Sequence, residues 1–312
     1  MKRMTLRLAA LLLAASSCVR AQAPAPEPYR TERLSERVLL LTERSPMENL
    51  VVAVATKRGV VVIDTTGSPH TAALFRAAIE KEFGRGDFKY VINTHPHWDH
   101  AWGNQSFPEA GVIIHENAAG ELAESREVAS RVAASWPERV KKLKQELAAP
   151  DIGSGRRAEL QGDLEFRERV LKGLADGFTP PAAAISFSDE MTLHMGDVSF
   201  RLYFFGRAHS GCDIFIHIPE EKILITGDIF LDKGWLPLFS GMETLDVPRW
   251  IAVLDKLFAA PEGFSTVIPG HREEWGREKL GLWKDYIEAL WQDVNKAKAA
   301  KLTLEQAVSR LP

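Results

Sequence analysis

Residues 93–100 read Asn-Thr-His-Pro-His-Trp-Asp-His, so three histidines and an aspartate fall within six positions directly after the run FKYVI. That run has the length and the β-branched and aromatic make-up of a buried strand. A chain that spends so many ligand-type side chains where a strand runs out must fold so that strand ends carry its chemistry. The surrounding pattern agrees. RVLLLTE, NLVVAVATKR and GVVVIDT read as strands, and TTGSP closes the last of them. Ser68 and Pro69 then form a cap and first turn for the helix SPHTAALFRAAIEKEF, with Leu74, Phe75, Ala78 and Ile79 on one face and Gly84 as its stop. Strand, helix and strand in this order imply a layered α/β architecture with ligands at the strand ends.

From about residue 117 to 177 the pattern turns helical. Val132, Trp136, Val140, Leu143 and Leu147 recur at three- and four-residue steps, Ser135 and Glu138 offer a capping box, and Leu160, Leu164, Leu171 and Leu174 mark a second stripe. This reads as a helical insertion that packs on the domain or covers its site, not as a separate domain. After Pro180 and Pro181 the strands return in MTLHMGD, VSFRLYFFG, CDIFIHIP and KILITGD. VPRWIAVLDKLFA reads as a helix, STVIPGH as a strand entering a loop, and EKLGLWKDYIEALWQDVNKAKAA as a long amphipathic helix.

The first residues read as an address. MKRMTLR is a positive leader, LAALLLAASS an apolar stretch, and VRAQA supplies small-residue cleavage sites, so 1–21 is expected to be a signal peptide and 22–29 a flexible leader before a domain over 30–312. The apolar stretch is far shorter than the roughly 20 residues that span a bilayer. The expectation is an exported protein, periplasmic or secreted, without a membrane span. AASSC offers an alternative, a lipid anchor at Cys18. With Cys18 removed or acylated only Cys212 remains, and no intrachain disulfide can form. A net charge of -3 leaves no electrostatic footprint for nucleic acid, and the substrate is expected to be a small molecule.

Three further candidates also stand where strands run out into small-residue turns: His209 in FFGRAHSGCD, Asp228 in ILITGDIF and His271 in TVIPGHRE. With His95, His97, Asp99 and His100 they form a set large enough for two open-sided metal sites. Imidazoles and carboxylates suit zinc or another borderline divalent cation.

VVVIDTTG, THPHWDH, AHSGCD, ITGD and PGH, in that order, resemble the motif series of the metallo-β-lactamase fold superfamily across essentially the whole chain after the leader. The resemblance implies a four-layer αββα sandwich with a helical insertion. It implies two Zn2+ ions, with Fe or Mn as substitutes. His95, His97 and His209 would hold the first, Asp99, His100 and His271 the second, and Asp228 would bridge them. Asp64 would support the site from behind, and Ser210, beside His209, would do the same. Ser210 and Cys212 depart from the family's usual H-T-x-G-D. Cys212 is read as structural.

The implied reaction is hydrolysis by a metal-bridging hydroxide, with the metals roughly 3.5–4 Å apart and Asp99 and Asp228 fixing them. A small ester, lactone, thioester or β-lactam is the expected substrate, and an outright β-lactamase is the alternative. Two readings of another class are an iron-dependent oxidoreductase and a metal-stabilised protein without catalysis. Substrate contacts are expected from the insertion and from FLDKGWLPLFSGM, where Lys233 could meet a carboxylate and Trp235 form an apolar wall. Trp98 and Trp102 either line the cleft or pack beneath the metal loop.

Overall fold

The computed structural model describes residues 27–229, 246–259 and 263–310. The expected signal peptide, Cys18, most of the leader, Lys233 and Trp235 lie outside the described residues. One sheet runs in chain order through β1 (Tyr29–Arg33), β2 (Val38–Glu43), β3 (Leu50–Thr56), β4 (Gly59–Ile63), β5 (Phe88–Ile92), β6 (Gly111–His115) and β7 (Ile185–Phe187). Its first four strands pair antiparallel and the rest parallel. The second sheet comprises β8 (Glu190–His194), β9 (Ser199–Tyr203), β10 (Phe215–Ile218), β11 (Ile223–Gly227), β12 (Thr266–Pro269) and β13 (Trp275–Gly276).

Side chains alternate along each strand, and that alternation sorts the core into layers. Val38, Leu40, Val52, Val54, Val61 and Ile63 meet Phe200, Leu202, Ile216, Ile225 and Ile268 between the sheets. Leu39, Leu41, Val51, Val60 and Val62 point the other way, onto Phe75, Ala78 and Ile79 of α1 (Pro69–Phe83). On the far side Phe215, Leu224 and Val267 pack under α5 (Val247–Ala259) and α6 (Arg277–Ala299), with Trp250, Leu254 and Trp283 at the contact. The result is the αββα sandwich that the motif series implies. Burial of each such aliphatic or aromatic side chain contributes about 1.5–3 kcal/mol.

Ser68 caps α1 by accepting from Thr71 N, with Pro69 in the first turn and Gly84 in the left-handed conformation at the end. The insertion is a hairpin of α3 (Ala119–Leu147) and α4 (Ser154–Ala175). Its two stripes meet at Leu143, Leu160 and Leu164, and farther along at Trp136, Phe166 and Leu174.

The expected capping box at Ser135 and Glu138 is not formed. α3 runs without a break from Ala119, Pro137 lies inside it, and the Ser135 hydroxyl donates to Arg131 O at 2.8 Å, a bond back into the preceding turn. Strands β1, β6, β7 and β13 have no counterpart in the strands read from sequence. β1 and β7 carry mostly exposed side chains, so their pairing rests on backbone hydrogen bonds without an apolar pattern.

Candidate metal centre

Five strand ends build the site. β4 runs out at Asp64, whose φ of 57° is left-handed, and Thr66 follows at 72°, a costly conformation for a β-branched residue. The turn is held by Thr65 N donating to His100 O at 2.9 Å, Gly103 N to Thr66 O at 3.0 Å, and Thr65 Oγ1 to Asn104 Oδ1 at 2.7 Å. Strain so bound aims the Asp64 carboxylate under the next loop. There it accepts from Thr94 N and Thr94 Oγ1, each at 2.8 Å, and meets His100 Nδ1 at 2.9 Å.

β5 delivers Asn93 to His97, and the signature then enters one helical turn, α2 (Trp98–Ala101). The Asn93 amide donates to His100 O at 3.0 Å and its carbonyl accepts from Asn104 at 2.7 Å, which clamps the turn. The loop after β9 brings in His209. Its Asp213 carboxylate accepts from Ala208 N, Ser210 N and Ser210 Oγ at 3.1, 2.8 and 2.7 Å, so Ser210 shapes this loop.

Glycines open the last two entries. Gly227 has a φ of 55°, and a Cβ there would stand 2.8 Å from Thr94 Oγ1. A Cβ on Gly270 would overlap the Asp228 carboxylate and stand 2.8 Å from His100 Cε1. Asp228 and His271 can therefore approach the centre only because glycine precedes each.

The seven side chains converge. His95, His97 and His209 form one group, Asp99, His100 and His271 another, and His95, His100 and Asp228 a third between them; within each the donor atoms lie within 4.8 Å of one another. One oxygen of Asp228, Oδ2, lies 3.6 Å from His209 Nε2 and 3.2 Å from His271 Nε2, between the two triads. Asp64 faces the site directly through His100 and indirectly through Thr94 at His95, and Ser210 through its own loop.

Burial pushes His95, His97 and His209 below the ordinary histidine value. Burial acts the same way on His100 and His271, but Asp228 and its neighbouring carboxylates outweigh it. His100 is raised well above the ordinary value and His271 to about 9. Burial opposes ionisation of Asp99 and Asp228, yet the facing histidines hold both well below the carboxylate range.

The donor set fits a divalent cation by a test internal to the structure. His95 Nε2, His100 Nε2, His209 Nδ1 and Asp228 Oδ1 are buried without hydrogen-bond partners. Buried polar atoms left so are costly, and ligation at the inward-facing ones answers the cost. Neutral imidazole and carboxylate donors match zinc and accept manganese or iron. Cys212 is no donor here: it is buried with Ile114, Ala118 and Leu122, and burial raises its thiol far above the usual range.

Several residues behind the centre lack any local signal. Asn49 Nδ2 donates to Asp99 O at 2.9 Å and Asp99 Oδ2 at 3.3 Å, and His271 Nδ1 donates to Met47 O at 3.0 Å. Glu121, in the first turn of α3, stands 3.9 Å from His97 Nε2. Asp64 and Ser210 are the parts of this outer layer that the quoted motifs point to. Trp102 is buried, and Trp98 packs on Trp102 and Trp136 at ring distances of 5.3 and 5.7 Å. The pair seats α2 on the insertion.

The family model of the metallo-beta-lactamase superfamily matches residues 45–271, a span that contains all seven converging side chains. A metallo-beta-lactamase type 2 from Bacteroides fragilis is 24% identical over 136 residues, 44% of this chain and 54% of that protein. The 2,4-dinitroanisole O-demethylase subunit alpha of Nocardioides sp. (strain JS1661) is 30% identical over 150 residues, 48% of this chain and 40% of that protein. These alignments thus span about half the length of the curated relatives.

Among solved structures, a metallo-beta-lactamase from Pontibacter korlensis superimposes with a TM-score of 0.59 at 17% identity, covering 83% of this chain and 99% of that one. The stereoselective inverting sec-alkylsulfatase Pisa1 from Pseudomonas sp. gives 0.68 at 18% identity, covering 91% and 45%. Two sheets packed face to face with flanking helices are the fold that these structures share with this chain. The chain belongs to the metallo-beta-lactamase superfamily.

Proposed function

We propose that the protein is a binuclear zinc hydrolase of a small ester, lactone, thioester or β-lactam. The observation that carries this reading is the convergence of five histidines and two aspartates, all but His97 buried, with His95 Nε2, His100 Nε2 and Asp228 Oδ1 left without hydrogen-bond partners. Divalent ions held there would supply Lewis acidity and a water acidic enough to serve as a nucleophile near neutral pH. The chain's own residues set the conditions for that chemistry. Asp64 and Met47 O fix the ring orientations of His100 and His271, Asn49 holds the Asp99 carboxylate, and Asp228 faces both triads.

The curated relatives are named as a metallo-beta-lactamase and as a 2,4-dinitroanisole O-demethylase subunit, and one structural neighbour as a sec-alkylsulfatase. That breadth supports a shared hydrolytic centre and leaves the substrate to be read by assay. A panel of chromogenic cephalosporin, lactone and thioester substrates tests the proposal. Turnover that a chelator abolishes and zinc restores supports it, and cephalosporin turnover selects the β-lactamase alternative. Zinc-loaded protein inert on the whole panel, or turnover indifferent to chelation, overturns it.

Export belongs to the same proposal, with cleavage near Ala21 or lipidation at Cys18. The mass of the mature N-terminus in an exporting bacterial host separates the two, and an intact Met1 in the processed fraction contradicts both.

A further inference from the structure

A histidine can turn only one ring nitrogen to an ion, and the partner of the other sets its tautomer and its orientation. For His100, His271 and His95 the outward nitrogen is Nδ1, and the core supplies its partner: Asp64 Oδ2 at 2.9 Å, Met47 O at 3.0 Å and Thr94 Oγ1 at 3.1 Å. His97 is turned the other way. Its Nδ1 faces inward, 3.0 Å from His209 Nε2, and its Nε2 faces outward, 3.9 Å from Glu121 Oε2.

Glu121 stands in the first turn of α3, so this partner comes from the insertion and not from the sandwich. Its other oxygen lies against the loop that carries His209, where a Cβ on Gly211 would stand 3.3 Å from Oε1. The carboxylate therefore touches the surroundings of two members of the same triad. At 37% exposure its side chain has room to rotate, and a small rotation turns the ion-pair distance into a hydrogen bond.

We propose that Glu121 is a positioning residue for the first metal site: it accepts a hydrogen bond from His97 Nε2–H, which fixes the tautomer that presents the Nδ1 lone pair to the ion. This rests on the binuclear reading above. It makes loading of the first site depend on the seating of α3, whereas the second site draws its outer partners from the core alone. The insertion then acts on the metal centre through one carboxylate.

Glu121→Ala and Glu121→Gln in the full chain test it, with zinc affinities measured by chelator competition and the ligand field by the visible spectrum of the cobalt-substituted protein. Glu121→Ala should weaken one of the two ions by about 10- to 100-fold, leave the other at the parent value and alter the cobalt bands. Glu121→Gln, whose amide oxygen still accepts from Nε2–H, should fall between Glu121→Ala and the parent.

The metal-free variants should melt with the parent, which separates ligand positioning from folding. Parent affinities and an unchanged cobalt spectrum in Glu121→Ala overturn the role of Glu121 alone, as does an equal loss of both ions. A parent chain that binds no ion overturns this inference together with the metal-centre reading.

Discussion

The triad of His95, His97 and His209 and the triad of Asp99, His100 and His271 share one loop and face one aspartate, yet their electrostatic surroundings are opposite. In the first, burial and mutual repulsion leave three imidazoles pushed toward the neutral form, the form that binds a cation. In the second, carboxylates from three strand ends surround His100 and His271 and hold them protonated. On the proposed reading the first triad would take an ion directly, whereas the second, an ion-pair network, would lose protons first. One fold thus gives two neighbouring triads opposite electrostatic surroundings by where its carboxylates stand.

The largest change should come from the residue common to both. Asp228→Asn removes the charge that faces each triad, and with several kcal/mol of transition-state stabilisation at stake kcat/KM should fall by about a thousandfold or more on any substrate the parent turns over. Elemental analysis should show ion loss at both sites, and a variant that keeps both ions and full turnover breaks the shared role. Asp64→Asn is narrower. It strips the outer partner from His100, so second-site affinity should drop by about 10- to 100-fold with a smaller loss at the first site, which Asp64 reaches only through Thr94, as read by chelator competition.

Next in size is pH. His271 has a value of about 9 in the folded chain against 6.5 for the free side chain. In metal-free protein its stabilising contribution is complete below about 6.5 and is lost as pH rises through about 9. For loading, the same proton is a competitor. Second-site affinity should therefore rise with pH up to about 9, by about tenfold per pH unit for each proton displaced, while first-site affinity stays nearly flat at neutral pH. Calorimetric titration at a series of pH values checks both slopes, and equal slopes would erase the contrast.

The smallest effect lies just behind the second triad. Burial raises the Glu43 carboxyl to about 7 despite Arg169 and a hydrogen bond from Thr71 at 2.9 Å. A carboxyl raised above its unfolded value disfavours the folded state once that unfolded value is passed, so the cost appears above about pH 4.5 and is complete above about 7. Glu43→Gln should raise stability at pH 8 by about 2 kcal/mol, roughly 5 °C in Tm, with no gain at pH 4. Thermal melts at the two pH values decide it.

Much of this was legible in the sequence because its signals are local. Alternating Val and Leu runs announced the paired sheets, Ser68 and Pro69 announced α1, and histidines behind short apolar runs announced which strand ends converge. The glycines of TGD and PGH are explained only by geometry, since Gly227 leaves space for the Thr94 side chain and Gly270 for the Asp228 carboxylate, groups that the chain brings from elsewhere. Beyond Asp64 and Ser210 the outer layer was not legible, for the same reason. Asn49, Met47 and Glu121 reach the centre across long stretches of chain, and a lone Asn, Met or Glu carries no periodicity. Ser135 and Glu138 misled because a capping box needs a helix start, and the apolar stripe of α3 continues upstream through Ala129 and Leu122.

The central claim is that the seven side chains hold two ions of unequal readiness. Stepwise zinc titration of metal-free protein at pH 6.5, with elemental analysis of the gel-filtered product at pH 6.5 and at pH 9, tests it most directly. The account predicts one tightly held zinc per chain at pH 6.5 and two at pH 9. Two zinc ions of equal affinity at both values, or none at either, would contradict it.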